Sequence, residues 1–245
     1  MTSAIILAAG RGSRMDWETT SKPKCLCEVN GQTLLDMQLK GLYSVGIHDV
    51  SIVSGYKSEM LRAFKARHIT NTTWESSSML SSLHKAVMEG VKPPVLAIYG
   101  DVIFDESALG LILEDPHDIV LGSVPRWRDN WESRYEDARD DAETFRVNSM
   151  GELQEIGGKI SDLEEVQGQF AGVFFIRDDG WTAMKRHERI FHSLSTTELL
   201  QLLLNEGVSI GAHTLGSYWF EIDTQRDLEF ARQSLETRLG EGEKS

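Results

Sequence analysis

The chain opens on an apolar run, Ala4-Ile-Ile-Leu-Ala-Ala9, that breaks directly into Gly10-Arg-Gly-Ser-Arg14. No other feature constrains the fold as much. The run is far short of the roughly 20 apolar residues that cross a bilayer, and no basic segment precedes it as in a secretory signal. A short continuous apolar run closed by a glycine turn reads instead as a strand buried on both faces, the kind found in parallel sheets covered by helices. Glycines just after such a strand let the backbone approach an anion, and the N–H groups of the turn can cradle phosphate oxygens. The turn is also cationic: up to residue 24, Arg11, Arg14, Lys22 and Lys24 face only Asp16 and Glu18. That patch stands out because the 245-residue chain carries 25 Lys and Arg against 38 Asp and Glu, a net charge of −13. A field of that sign repels a polyphosphate backbone, so nucleic acid is disfavoured as a partner while one nucleotide held locally is not.

The pattern continues as alternating strands and helices, which marks an α/β fold. Leu34, Leu35, Leu39 and Leu42 recur at helical spacing up to Gly46, and Val50-Ser-Ile-Val53 reads as a strand running into Ser54-Gly-Tyr56. Glu59 to Arg67 and Met79 to Met88 read as helices, and Val95-Leu-Ala-Ile-Tyr99 as a strand ending in Gly100-Asp101. Ligands in open α/β sheets bind at the carboxyl ends of the strands, so Gly10–Arg14, Ser54–Tyr56 and Gly100-Asp101 should converge. The second half is less regular. It holds a polar excursion from Arg126 to Glu143, strand-like stretches at Thr144–Val147 and Phe170–Ile176, and a helix from Thr196 to Asn205. Ser195-Thr-Thr-Glu198 before that helix reads equally as a capping box or a substrate contact. Five prolines and no Gly/Ser-rich tract offer no linker, so residues 1–245 are expected to form one domain. The only cysteines, Cys25 and Cys27, make neither a disulfide framework nor a Cys-x-x-Cys pair, which fits the reducing cytoplasm. The histidine spacing suggests no zinc site, and neither secretion nor membrane insertion is indicated.

Other phosphate turns do not fit. A dinucleotide fingerprint needs Gly or Ala where Met15 stands, and the Walker pattern G-x-x-x-x-G-K-[ST] is absent. Leu7-Ala-Ala-Gly-Arg-Gly-Ser-Arg-Met15, Lys22-Pro-Lys-Cys-Leu26, Tyr99-Gly-Asp101 and Trp219-Phe-Glu-Ile-Asp-Thr224 together resemble the sugar-phosphate nucleotidyltransferase superfamily. The compact length, with Asp141-Ala-Glu-Thr-Phe145, Glu155-Ile-Gly-Gly-Lys159 and Gly168-Gln-Phe-Ala-Gly172, is similar to its CTP-using phosphonate and phosphocholine cytidylyltransferases.

That resemblance implies a single-domain Rossmann-like nucleotidyltransferase fold with a mixed, mostly parallel central sheet flanked by helices. Residues 1–105 would form a nucleotide half, 106–220 an acceptor half, and 221–245 a metal aspartate with a C-terminal helix. It implies Arg14 and Lys24 as the catalytic cations and Leu7, Ala8, Ala9, Gly10, Arg11, Gly12 and Ser13 as nucleotide-binding residues. Ser54, Gly55, Tyr56 and Ser81, with Ser82 beside it, would line the base end. Asp101 and Asp223 would hold Mg²⁺, which needs few protein oxygens because phosphates and water supply the rest. From sequence alone Asp223 is also read as a helix cap, since Asp223-Thr-Gln-Arg-Asp227 has the form of a helix start. Gly172 and Lys159 fall to the acceptor, with Arg126 a further candidate for its phosphorus oxygens.

The excursion from Arg126 sets Trp127, Trp131 and Tyr135 among seven acids between Asp129 and Glu143, a composition suited to an ammonium group by ion pairing and cation–π attraction. An acid among Asp140, Asp141 and Glu143 is accordingly expected to meet an acceptor amine, the competing reading being a solvated surface segment. The expected activity is transfer of CMP from CTP to a small phosphonate or phosphate, such as 2-aminoethylphosphonate or phosphocholine, with release of pyrophosphate. The alternatives are a hexose-1-phosphate nucleotidylyltransferase using UTP or dTTP, and a catalytically silent nucleotide-binding regulator. A homodimer is compatible with the resemblance.

Overall fold

Every residue from Ser3 to Ala8 is buried, so the first strand must lie inside a sheet with both faces covered. The structure, a computed structural model, describes residues 2–242, with the side chains of residues 16, 17 and 238–242 outside the description, as are the ends of the 1–245 span. The first half runs β1 (Ser3–Ala8), β2 (Glu28–Val29), β3 (Gln32–Thr33), α1 (Leu34–Ser44), β4 (Val50–Ser54), β5 (Arg67–Thr70), α2 (Met79–Met88), β6 (Val95–Tyr99) and β7 (Val102–Phe104). It is followed by α3 (Leu109–Glu114), β8 (Ile119–Ser123), α4 (Trp127–Arg134), β9 (Glu143–Val147), β10 (Leu153–Lys159) and β11 (Phe170–Ile176). The chain closes with α5 (Asp178–Lys185), α6 (Thr196–Asn205), β12 (Ile210–Thr214), β13 (Trp219–Glu221) and α7 (Gln225–Gly242).

Seven strands form the central sheet in the order β12-β8-β11-β6-β1-β4-β5. It is mixed and mostly parallel, as expected: β1 pairs parallel with β4 and β6, and only β11 runs against its neighbours β6 and β8. Among the described residues no helix is long and apolar enough to cross a membrane.

Two sequence expectations are corrected. Glu59 to Arg67 is not one helix but a 3₁₀ turn, Ser58–Ala63, leading into β5. The turn buries only Leu61, too little to fasten an α-helix, while β5 buries Ile69 between exposed Arg67 and Thr70, as an edge strand does. The stretch from Arg126 to Glu143 is likewise not a solvated excursion. Trp127 and Trp131 of α4 are 8% and 4% exposed and belong to the main core, which reaches from Ala4 to Trp219. A second apolar cluster joins Met15, Cys27, Val29 and Leu34 to Phe220, Ile222, Leu228 and Ala231. It fastens β13 and α7 against the segment after the glycine turn, and so brings together charged residues far apart in sequence.

Candidate active site

Three strand ends meet as their spacing implied. The Tyr56 amide donates to the Ala9 carbonyl at 3.0 Å and the Gly100 amide to the Leu7 carbonyl at 2.9 Å. Leu7, Ala8 and Ala9 are themselves buried, and those two bonds take up the Leu7 and Ala9 carbonyls. At Gly55 a Cβ would sit 2.4 Å from the Trp74 Cβ and 2.7 Å from the Ala9 carbonyl, so only glycine fits there. Gly12 has φ +71° and faces the Lys24 stem, where a Cβ would lie 3.0 Å from Cδ; the glycine is what lets this lysine pass under the turn. Gly10, Arg11 and Ser13 stand exposed on the same turn, and Arg11 lies 5.6 Å over the Tyr56 ring.

Lys24 Nζ reaches Asp101 Oδ2 at 2.8 Å and Asp223 Oδ1 at 2.5 Å, and Arg14 Nη2 lies 3.1 Å from the same Asp223 oxygen. Burial by itself would lower the Lys24 ammonium, but the two carboxylates outweigh it and hold its pKa above the ordinary value. Burial would raise Asp223, yet Lys24, Arg14 and Arg134 draw its pKa down. The helix-cap reading of Asp223 falls away because the cap belongs to its neighbours. Asp227 accepts from the amides of Asp223 and Thr224 at 3.2 and 2.8 Å, and the Thr224 hydroxyl accepts from the Asp227 amide at 3.2 Å. The Asp223 side chain is thereby free to face Lys24.

Glu221 is a residue the sequence reading passed over. One oxygen from each of Asp101, Glu221 and Asp223 lies within 4.8 Å of the others. The signal was present, since alternation along Trp219-Phe-Glu-Ile-Asp223 puts residues 221 and 223 on one side. Burial, then repulsion from Asp223 and Asp101, push the Glu221 carboxyl above the usual carboxylate range against the pull of Arg134 and Lys24. Arg134 had no sequence signal at all. Its guanidinium, 8% exposed, reaches Glu221 at 3.1 Å, Asp227 at 3.1 Å and Asp223 at 3.6 Å, and lies over the rings of Trp131, Tyr135 and Trp219. Three converging carboxylates suit a hard divalent cation, and Asp101 keeps one buried oxygen, Oδ1, without a hydrogen-bond partner. The residues present therefore fit such an ion.

A cavity of about 270 Å³ opens beside these acids, and Arg14, Asp141, Glu143, Gly172, Glu221 and Asp223 are among its lining. The Trp131 indole donates to Asp141 at 3.1 Å, and the Tyr99 hydroxyl shares a 2.6 Å bond with Thr196. Burial raises the pKa of Glu143 despite a hydrogen bond from Thr197, with Asp141 and Glu198 adding to the rise. The capping-box reading of the residues before α6 holds, since Ser195 and Glu198 form a full box, and Ser195, Thr196 and Thr197 also line the cavity.

Several expected residues stand elsewhere. Lys159 is exposed at the end of β10, opposite Glu143 in register but outside the cavity lining. Arg126 begins α4 with φ +46° and borders a different cleft with Pro125, Ser217 and Tyr218. Ser54 is buried in the sheet with its hydroxyl turned to the Ile69 carbonyl, because strand alternation points it away from the crevice. Ser81 shares its hydroxyl with the α2 cap Ser78 at 3.3 Å, and Ser82 accepts from Asn71 in the interior. Trp127 is committed to the core, its indole donating to the Val166 carbonyl.

A cationic glycine turn at the end of a central parallel strand, facing carboxylates across a cavity, is the arrangement of a nucleotidyltransferase, and comparison with known proteins bears out the resemblance read from the motifs. The chain matches the MobA-like NTP transferase domain over residues 4–203 and belongs to that family. It is 24% identical over 250 aligned residues to the CTP:phosphoglutamine cytidylyltransferase of Campylobacter jejuni, covering 93% of this chain and 98% of that one. It is 34% identical over 91 residues to the 2-aminoethylphosphonate cytidylyltransferase of Lancefieldella rimae, covering 35% and 37%. The fold is shared with the CTP:phosphocholine cytidylyltransferase from Streptococcus pneumoniae, at TM-score 0.70 and 20% identity over 96% of this chain and 99% of that one. It is shared also with the inositol-1-phosphate CTP transferase from T. maritima, at 0.73 and 22% over 94% and 95%.

Proposed function

We propose that this enzyme transfers CMP from CTP to a small acceptor bearing a phosphate or phosphonate, with release of pyrophosphate. The observation that carries the reading is that Arg14, Glu221 and Asp223 line one cavity together with Asp141 and Glu143. The names of the sequence relatives support the nucleotide and the acceptor class. The chain works as one domain, residues 1–105 holding the nucleotide and 106–220 the acceptor, in the cytoplasm where Cys25 and Cys27 stay reduced.

An oxygen of the acceptor attacks the α-phosphorus in line, the bond to the β-phosphate breaks, and pyrophosphate leaves. The attacking oxygen is anionic at neutral pH, so no general base is required and catalysis rests on positioning and charge stabilisation. The backbone of Gly10–Ser13 cradles the phosphates, and Arg14 and Lys24 neutralise charge on the α-phosphate and the leaving group. Asp101 and Asp223, with Glu221, would hold Mg²⁺, which when bound supplies further charge neutralisation on the triphosphate. At the far side Asp141 and Glu143 meet a positively charged group of the acceptor, which makes a zwitterion, an amine joined to a phosphorus acid, the best match. With Lys159 outside the cavity, Arg14 is the cation that lines it and serves the acceptor's phosphorus oxygens.

A pyrophosphate-release screen of CTP, UTP, dTTP and ATP against 2-aminoethylphosphonate, phosphocholine, a phosphorylated amino acid and hexose 1-phosphates tests this. Turnover with CTP and a zwitterionic acceptor is expected. Preference for UTP or dTTP with a hexose phosphate, or nucleotide binding without turnover for any acceptor, would overturn it.

A further inference from the structure

We propose that Gln38 is a positioning residue for the metal site: its side-chain amide clasps the turn that carries Asp101. The proposal rests on the reading of Asp101, Glu221 and Asp223 as metal ligands. Gln38 lies in the buried stripe of α1, between Leu34 and Leu35 one turn before it and Gly41 and Leu42 one turn after, and is 4% exposed. An apolar residue would pack there without desolvating an amide, so a glutamine in this stripe calls for a specific set of bonds. Those bonds are short. Nε2 donates to the Tyr99 carbonyl at 2.7 Å and to the Val102 carbonyl at 2.6 Å. Both partners are pure acceptors, so only the nitrogen end of the amide can face them and its orientation is set by chemistry.

Tyr99 and Val102 bracket Gly100-Asp101. Both N–H donors of one side chain thus close the loop between β6 and β7 around the aspartate, while Oε1 is left buried without a partner. The same loop is tied to β1 by the Gly100 amide on the Leu7 carbonyl and to the residue just after β13 by the Ile222 amide on the Asp101 carbonyl, each at 2.9 Å. α1 supplies the third tie and the sole side-chain one of the three. Mutating the partners that orient metal ligands from behind typically costs about 10–100-fold in metal affinity or activity. A residue that merely fastened α1 to the sheet would change stability and leave the ion's affinity alone.

The test is Mn²⁺ binding to the full chain without nucleotide, read by electron paramagnetic resonance of the free ion. Wild type, Gln38→Met, Asp101→Asn and the double variant are compared. Gln38→Met, similar in length and without donors, is expected to weaken Mn²⁺ binding about tenfold or more. Asp101→Asn weakens it further, and the double variant is no weaker than Asp101→Asn alone, because Gln38 acts through Asp101. Mn²⁺ affinity of Gln38→Met within twofold of wild type, or an equal loss on the Asp101→Asn background, overturns the proposal while leaving the metal reading intact. Unchanged affinity in Asp101→Asn overturns the metal reading itself. If Gln38→Met does not fold, Gln38→Asn, whose amide falls one methylene short of the carbonyls, is held to the same thresholds.

Discussion

The two sides of the cavity are built in opposite ways. The nucleotide side is largely local: Leu7 to Lys24 supply the strand end, the turn and the cations within one stretch of chain, with Gly12 shaped around the Lys24 stem. The acceptor side is assembled from Tyr99, Trp131, Asp141, Glu143, Gly172 and the cap of α6, pieces of several elements held by core packing. One side therefore carries a fixed chemistry on a contiguous backbone, and the other a set of side chains that can differ with little cost to the first. Arg134 spans the two, reaching from α4 to Glu221, Asp223 and Asp227 beside the carboxylate cluster.

The largest expected break lies on the local side. Lys24→Ala removes the cation between Asp101 and Asp223 and the stabiliser of transition-state charge, so kcat should fall by roughly 10²–10³-fold. It also leaves Asp101 without its cation, while Asp223 keeps Arg14 and Arg134, so the loss in stability is at most the roughly 3–5 kcal/mol of a broken buried pair. Added Mg²⁺ should restore part of that stability and none of the turnover, which thermal melts and initial rates together will show. A kcat within threefold of wild type would mean that Lys24 only braces the fold.

This contrast also explains what could be read from the sequence. The parallel strands, the converging turns, Lys24 and Asp101 were legible because their signals are short patterns: apolar runs, glycines and a Gly-Asp step at strand ends. Asp223 came from the family resemblance, since by itself Asp223-Thr-Gln-Arg-Asp227 reads as a helix start. Glu221 was legible in principle, by strand alternation from Asp223, and was missed. Arg134 was not, for its partners Glu221 and Asp227 lie 87 and 93 residues away and nothing local distinguishes it from a surface arginine. The same holds for the burial of Trp127 and Trp131, where an acidic composition concealed two core anchors. It holds too for His213, whose spacing suggests nothing but which reaches Asp115 at 2.7 Å once β12 pairs with β8.

On the acceptor side, burial ranks the two acids. Glu143 is half-buried whereas Asp141 is exposed, so an ion pair with an acceptor amine is worth more at Glu143. Glu143→Gln is expected to raise the acceptor KM by about tenfold, and Asp141→Asn by only about twofold to fivefold. The KM for CTP should be unchanged in both. Equal effects on the two KM values would merge the two sides of the comparison.

The pH dependence sharpens the same point. Burial holds the Glu143 pKa above its ordinary 4.5, and only the carboxylate can meet an ammonium group, so the acceptor KM should rise as pH falls through that raised value. Glu143→Gln should flatten the rise. Stability runs the other way: a carboxyl whose pKa is raised by folding stabilises the native state below its unfolded pKa and loses that contribution as pH climbs through the folded one. Acceptor binding and the thermal midpoint of the free enzyme should therefore respond to Glu143 with opposite signs across one pH window.

The smallest expected effect falls on the residue that serves structure and cavity together. Ser195 accepts from the Glu198 amide at 3.1 Å, and its own amide donates back to the Glu198 carboxylate at 2.7 Å. Ser195→Ala removes half of that exchange, which costs about 1 kcal/mol of stability. Ser195→Asp keeps an N-cap acceptor, and so should melt close to wild type, but adds a negative charge to a cavity already lined by Asp141, Glu143, Glu221 and Asp223. If Ser195 only caps α6, the two variants separate in thermal midpoint and agree in acceptor KM. If it also faces the acceptor, Ser195→Asp shifts the acceptor KM at nearly constant stability, and the sign reports which end of a zwitterion lies nearest: a lower KM for the amine, a higher one for the phosphorus acid.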